Sequence, residues 1–406
     1  MKNELKGSFL EEKDGVKILH LNGSYYNMGY QHGHYLKYKI SMNIRAYLAF
    51  ANRCGTSNET MFEIWNEMKQ HIPENYLNEM QGVADGSNID FEKIGILNIL
   101  HDVINVIHCT GVIAWGNATK DGKLIHFRSA DGPVITFIDP ETKTHLQENQ
   151  VMLVRTPERG YASLSPTIAG DVGTWGGFNE KGIGTSENSA FTDETKFEGI
   201  PASIRMRMVL DNADSKNAAI KILSSNRTSG WNLFISDANI PEGVVLEQNA
   251  NHSEVCYWDS PCENKRPFRS IKEIVRRGWF FISPELVKHG RKYHNPGGVL
   301  GLIRLLTGKD EFLLLWLHFR ALSKGLKNFW GTLDLNSSMK LYRDVYLGNN
   351  DLMKKLLIIL NIRKFPSINQ WVACPETGDM LVSFASPFTS AIFNPVHHFN
   401  LFELLK

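Results

Sequence analysis

The hydrophobic pattern of this chain changes period at Cys109, and that change constrains the fold more than any other feature. Upstream, apolar residues recur at helical spacing. After a short strand over Val16–Leu21, Ser24 is placed to cap a helix running from Tyr25 through Tyr47. Glu59–His71 and Pro73–Asp85 read as further helices, with Gly86 as a stop, and Phe91–His101 reads as buried. From Cys109 to about residue 260 the pattern is that of short strands. Val112–Trp115 and Leu124–Phe127 flank the hairpin signal Asp121-Gly122, and Val151–Arg155 and Tyr161–Thr167 flank Glu158-Arg159-Gly160. Gly182–Ser189, Leu233–Ser236, Val244–Gln248 and Val255–Trp258 continue the series, with helices over Ser203–Leu210 and Lys216–Leu223. Arg266 to about Ile362 returns to helix, and Trp371–Cys374 with Met380–Phe384 forms a last hairpin. Helices and strands gathered in blocks predict an α+β domain rather than alternating βαβ units.

Composition narrows the function. Lys plus Arg is 44 against 43 for Asp plus Glu, a balance that argues against a nucleic-acid footprint. The polar stretch Met1–Gly15 lacks the apolar core of a secretory signal, and the apolar run Phe312–Phe319, broken by His318, is too short to span a bilayer. The 5 cysteines are odd in number and scattered, which is no disulfide framework. Cys256 and Cys262 lack the spacing of a zinc site, and the side chains of His32 and His34 point apart on a helix. His397-His398 is equally weak as a ligand pair, and Gly170–Gly177 is followed by no Gly-Lys-Ser/Thr, so it is no phosphate loop. Asn295-Pro296-Gly297-Gly298 is a turn signal. A cytoplasmic protein without stable membrane insertion is expected. The stretch Phe312–Trp330 reads first as a packed helix; a lid over an acyl pocket and a membrane-surface or subunit contact are the sharper readings, which leaves a homo-oligomer open.

Cys109 stands where helix gives way to strand, followed by Thr110 and Gly111. A cysteine alone is more often an inert buried residue than a nucleophile. The polar residues on neighbouring strand ends change that weighting: Arg128 and Asp131, Asn179 with Glu180, then Asn188. Alone, each has a plainer reading. Asp131 before Gly132-Pro133 suits a turn, Arg128 a strand surface, Asn179 the shaping of the Phe178–Gly182 turn, and Asn188 a loop cap.

Cys109 through Ala114, the Asp-Gly hairpin and then Arg128-x-x-Asp131 resemble the start of the mature catalytic chain in linear-amide hydrolases, the N-terminal-nucleophile cysteine hydrolases that include bile-salt hydrolases, penicillin V acylases and isopenicillin-N acyltransferases. Gly177-Phe178-Asn179-Glu180-Lys181-Gly182-Ile183-Gly184 followed by Asn188 is similar to the second motif of that group. The leader resembles the isopenicillin-N acyltransferase branch in Gly23-Ser24-x-x-x-Met28-Gly29-Tyr30-x-His32-Gly33, in Glu79–Gly86 and in Leu97-Asn98. Gly199-Ile200-Pro201 through Asp237 and Glu247 also follows the pattern, so the resemblance covers most of the chain.

The resemblance implies a four-layer αββα sandwich. It also implies that the chain cuts itself between His108 and Cys109. The thiol attacks the His108 carbonyl, the acyl group moves from nitrogen to sulfur, and water frees Cys109 as a new N-terminus. The new α-amine, with an ordinary pKa of roughly 7.7–8.0, then serves as the thiol's base. By the same resemblance Asp131 holds that amine, Arg128 lowers the thiol's pKa, and Asn188 donates to the oxyanion. The family places a second oxyanion Asn where Trp279 stands here, and a later family arginine corresponds to Arg320. The expected organisation is a helical leader over 1–108, remaining attached after cleavage, and a catalytic domain over 109–406 with a helical insertion at about 266–362. The expected reaction is hydrolysis of a small-molecule acyl amide or ester through a thioester, with no metal and no cofactor. Acyl transfer to an amine and an inactive relative that binds acyl or peptide ligands are the alternatives, the latter suggested by Trp279.

Overall fold

Four glycines set how the N-terminal helices meet. In the computed structural model, which describes residues 4–103, 108–132, 136–265, 267–290, 312–359 and 367–406, helix α1 (Tyr25–Arg53) crosses another helix, Glu74–Ser87, at backbone contact. A Cβ on Gly29 or Gly33 would lie 1.9 Å from the Glu79 carbonyl oxygen or 2.3 Å from that of Val83; on Gly82 or Gly86 it would lie 2.1 Å from those of Tyr26 or Tyr30. Only glycine permits that approach. Gly86 is therefore spent on packing and does not stop its helix. The helix ends at Asn88, which takes the left-handed conformation (φ 56°) that asparagine tolerates. Ser24 caps α1 as expected, its side chain accepting from the Asn27 N–H.

The elements run β1 (Phe9–Lys13), β2 (Val16–Gly23), α1, α2 (Asn58–Lys69), α3 (Glu74–Ser87), α4 (Phe91–Val103), β3 (His108–Gly116), β4 (Gly122–Asp131), β5 (Gln150–Pro157), β6 (Ser163–Ile168), β7 (Gly176–Asn179), β8 (Ile183–Ser189) and α5 (Ala202–Asn212). Next come α6 (Lys216–Leu223), β9 (Trp231–Asp237), β10 (Glu242–Gln248), β11 (Ser253–Cys256), α7 (Pro261–Asn264), β12 (Ile274–Arg277) and α8 (Pro284–His289). The chain closes with α9 (Phe312–Phe329), α10 (Leu335–Tyr346), α11 (Leu352–Ile359), β13 (Ser367–Cys374), β14 (Asp379–Phe384), β15 (His397–Asn400) and α12 (Leu401–Leu404).

The strands form a nine-stranded sheet, ordered β1-β2-β5-β6-β7-β8-β9-β10-β11, and a six-stranded sheet, ordered β12-β3-β4-β13-β14-β15. Among the described strands all pairings are antiparallel except β2 with β5. Ile18, Met152, Val154 and Phe178 of the large sheet pack on Trp371, Ala373 and Val382 of the small one. Ile113 and Trp115 meet Phe234 and Val245 in the same inter-sheet layer. The outer face of the large sheet buries α1, α4, α5 and α6. The outer face of the small sheet buries α9 and α10 through Val112, Phe127, Leu322, Leu326, Tyr342 and Val345. The result is helix, sheet, sheet, helix: an α+β fold of four layers, as expected.

Strand order supplies what pattern could not. The stretch 1–108, expected as a helical leader, is more than helical, because β1 and β2 extend the large sheet. The region read as a return to helix opens with β12, the edge neighbour of β3, and the hairpin read as last is followed by β15. The turn at Asn295–Gly298 lies outside the described residues. Among the described residues no helix is long and apolar enough to cross a membrane.

Candidate active site

The β3–β4 hairpin carries the site, and its pleat sorts the site onto two faces. Cys109 pairs with Ala130, Gly111 with Arg128 and Ile113 with His126, and these residues face the large sheet. On the alternate rungs His108 pairs with Asp131, Thr110 with Ser129 and Val112 with Phe127, and the side chains of Val112 and Phe127 pack against α9 and α10. The peptide joining His108 to Cys109 is thus held extended within β3. Gly111 is required beside it: a Cβ there would sit 2.5 Å from the Phe234 ring.

On the inner face Cys109 is buried, and Arg128 Nη2 donates to its Sγ at 3.0 Å. Arg128 Nε donates to the Glu187 carbonyl on β8 at 2.8 Å, so the guanidinium ties the two sheets together beside the thiol. Glu187 Oε1 stands 3.7 Å from Arg128 Nη2 and 3.4 Å from His101 Nδ1. Among the described residues Arg128 Nη1 is buried without a protein partner. Burial pushes the Cys109 thiol up to about 12, and Arg128 offsets that only in part. In this arrangement the sulfur carries its proton.

On the outer face Asp131 accepts from Ser129 Oγ at 2.8 Å and from the Tyr346 hydroxyl. Burial pushes its carboxyl up to about 7, against the opposing effect of those two donors. Thr110 Oγ1 lies 3.2 Å from His318 Nε2, and His318 Nδ1 lies 2.7 Å from Lys354 Nζ. With Lys354 donating to Nδ1, the ring proton sits on Nε2, toward Thr110. Burial brings the Lys354 ammonium down to about 7 and the His318 imidazolium well below its ordinary value. The Tyr346 ring packs edge-on to His318, joining the two parts of this face.

A narrow cavity of about 10 Å³, room for about one water, opens here between Thr110, Asp131, Gly278, Trp279, Leu315, His318 and Phe319. The structure therefore brings Trp279 to Asp131. The Gly278–Phe280 stretch that carries it is held by two asparagines paired across β8 and β9. Asn188 Nδ2 donates to the Arg277 carbonyl at 2.9 Å, and Asn232 Nδ2 to those of Gly278 and Phe280 at 3.0 and 3.1 Å. Buried Glu247 accepts from Arg277 Nε at 2.6 Å and from the Ser283 N–H at 2.9 Å. Asn188 thus spends a donor on the chain that lines the cavity.

Two sequence candidates stand apart. Asn179 donates to the carbonyls of Leu210 and Ala213 and accepts from the N–H groups of Lys181 and Ile183, so it shapes a turn and ties it to α5. Arg320 grips Asp351 with Nε at 2.7 Å and Nη2 at 2.9 Å on a partly exposed surface. Asp351 in turn accepts from the Lys354 N–H, so Arg320 acts at a distance by fixing the start of α11. Sequence reading missed Thr110, Glu187, His318, Tyr346 and Lys354. The one available signal was His318, a polar break in an apolar helix face.

Residues 138–260 match the family described as acyl-coenzyme A:6-aminopenicillanic acid acyl-transferase. That stretch holds Asn179 and Asn188, while Cys109, Arg128 and Asp131 precede it. An "uncharacterized protein" of Archaeoglobus fulgidus is 24% identical over 289 residues, covering 63% of this chain and 47% of that protein, so the match spans just under half of its length. Among solved structures, a Caenorhabditis elegans ortholog of N-acylethanolamine-hydrolyzing acid amidase aligns with a TM-score of 0.42 at 16% identity, over 66% of this chain and 93% of that one. A mutant of conjugated bile acid hydrolase from Clostridium perfringens aligns with a TM-score of 0.41 at 15% identity, over 73% and 93%.

Proposed function

We propose that this protein is a self-processing amide hydrolase whose nucleophile is Cys109. The observation that carries the reading is the hairpin itself. Thiol, guanidinium and carboxylate lie within four successive rungs of one hairpin, with Arg128 Nη2 3.0 Å from Cys109 Sγ and Asp131 paired opposite His108. In the intact chain the thiol is protonated, and Arg128, a permanent cation, cannot take that proton. Attack of Cys109 on the His108 carbonyl and hydrolysis of the resulting thioester release a His108 carboxylate and a Cys109 α-amine. The amine arises on the strand beside Asp131 and takes the thiol proton in each later turnover. The thiolate then attacks the substrate carbonyl, the amine returns the proton to the leaving nitrogen, and water resolves the acyl-enzyme. Among the described residues Arg128 Nη1 has no partner, and it would be available to the tetrahedral oxyanion.

Six β2–β5 pairings keep the leader bound after the cut. The substrate class is a small acyl amide or ester, with transfer to an amine in place of water as the variant reaction. A second reading, a binding protein without turnover, is favoured by Trp279 filling the wall of so small a cavity. Intact-mass measurement separates them. The wild type is expected as two fragments split before Cys109 and the Cys109→Ala variant as one chain. An unsplit wild type inert to thiol-reactive acyl probes selects the binding protein.

A further inference from the structure

We propose that Glu194, His252 and His289 bind one divalent transition-metal ion of the zinc class. One ligand atom from each lies within 4.8 Å of the other two. His289 Nδ1 is 2.6 Å from Glu194 Oε1, and His252 Nε2 is 3.5 Å from Glu194 Oε2. The three come from separate segments: Glu194 from the connection after β8, His252 from the turn between β10 and β11, and His289 from the end of α8.

The surroundings orient these groups as a metal site does. Asn251 Nδ2 donates to Glu194 Oε2 at 3.2 Å, and the Glu194 N–H donates to Thr192 Oγ1 at 3.1 Å. Thr192 Oγ1 itself donates to the His289 carbonyl at 2.9 Å, beside a bridge between Thr192 and Gly290. Glu285 Oε1, one helical turn before His289, faces the other ring nitrogen, Nε2, at 3.5 Å. A carboxylate on the far nitrogen of a ligating imidazole fixes its tautomer and raises its basicity. Lys288 pairs with Glu285 at 2.6 Å, outside the trio. A dication at the trio neutralises the Glu194 carboxylate and gives both imidazoles a shared partner.

Two imidazoles with one carboxylate select zinc, nickel or copper over magnesium or calcium. The ligating side chains are 24% (Glu194), 34% (His252) and 29% (His289) exposed, shielded yet open to an entering ion and to a water as fourth ligand. The two rings now stack at 4.2 Å, so binding at about 2.0–2.1 Å requires His252 to tilt off His289, which its exposure permits. The ion's place in the molecule is structural. It staples α8 to the connection after β8, and α8 continues the stretch that delivers Trp279 to the cavity.

The test uses tag-free full-length protein stripped with chelator and titrated with zinc chloride by calorimetry, with cobalt(II) absorption as a second readout. One equivalent should bind and should be lost in His252→Ala/His289→Ala, while Glu285→Gln weakens binding about 10–100-fold. Cobalt should give a four-coordinate spectrum without a thiolate charge-transfer band. Unchanged circular dichroism in the variants confirms that they fold. The proposal is overturned if the wild type takes up no zinc at micromolar concentration, or if uptake survives the double His variant. It is also overturned if uptake vanishes instead in Cys256→Ser/Cys262→Ser, whose sulfurs lie 3.9 Å apart.

Discussion

The two faces of the β3–β4 hairpin hold opposite kinds of charge. Toward the large sheet, the thiol is pushed up to about 12 and its neighbour Arg128 is permanently charged, so nothing between those two groups changes protonation near neutrality. Toward α9–α11, Asp131 and Lys354 are both brought to about 7 by burial, from opposite ordinary values. A fixed field serves the sulfur on one side. On the other side, where self-cleavage would create an amine, the charge adapts. A buried site that gains a titratable group part-way through its life needs that adaptability, because an uncompensated buried charge is costly.

Replacing the fixed cation should have the largest effect after loss of Cys109 itself. Arg128→Met is expected to lower kcat/KM by about 10²–10³. Arg128→Lys should recover little, since a point charge cannot hold both Glu187 and the sulfur. Unchanged turnover in Arg128→Met would remove the inner face from the mechanism. On the outer face, Lys354→Met should cost about tenfold in kcat/KM at pH 7, the scale of one charge-assisted hydrogen bond, and should flatten the pH–rate profile near 7. A loss uniform with pH would instead mark Lys354 as packing only.

The adaptable face also predicts stability against pH, read by urea unfolding of Cys109→Ala so that no chain is cut. Asp131 has a folded pKa raised from 3.8 to about 7, so its stabilising contribution is full below about 4 and is lost as pH rises to 7. Lys354 has a folded pKa lowered from 10.5 to about 7, so its contribution is present above 10.5 and is lost as pH falls to 7. Asp131→Asn should abolish the falling limb and Lys354→Met the rising one, each on the order of a kcal/mol or more. Limbs that survive both changes would place the titration elsewhere. Arg320→Ala should matter least: its pair with Asp351 is partly exposed, so stability should change by about 1 kcal/mol or less, with kcat/KM falling less than in Lys354→Met.

The layered fold was legible where strands carry short apolar runs, such as Val112–Trp115 and Leu124–Phe127 joined through the Asp121-Gly122 turn. Cys109, Arg128 and Asp131 could be singled out because they share one hairpin, where local spacing is also spatial spacing. His318 and Lys354 could not, because they reach Thr110 across more than 200 residues from helices whose placement depends on tertiary packing. Glu194, His252 and His289 escaped for the same reason. Asn188 was legible as a residue but not in its contact, since the Arg277 carbonyl it holds belongs to a strand that pattern alone read as helix. Gly86 was misread because a glycine needed for backbone contact looks identical in sequence to one that ends a helix.

Strand β2 has a consequence for anyone who would bypass the proposed self-cleavage by starting translation at Cys109. Such a shortened polypeptide would lack the ribbon that covers β5, leaving Met152 through Pro157 with a raw flank of unsatisfied amides and carbonyls. A bared flank of that kind recruits other chains. Under the proposed self-cleavage, cutting in place would keep that seam closed throughout.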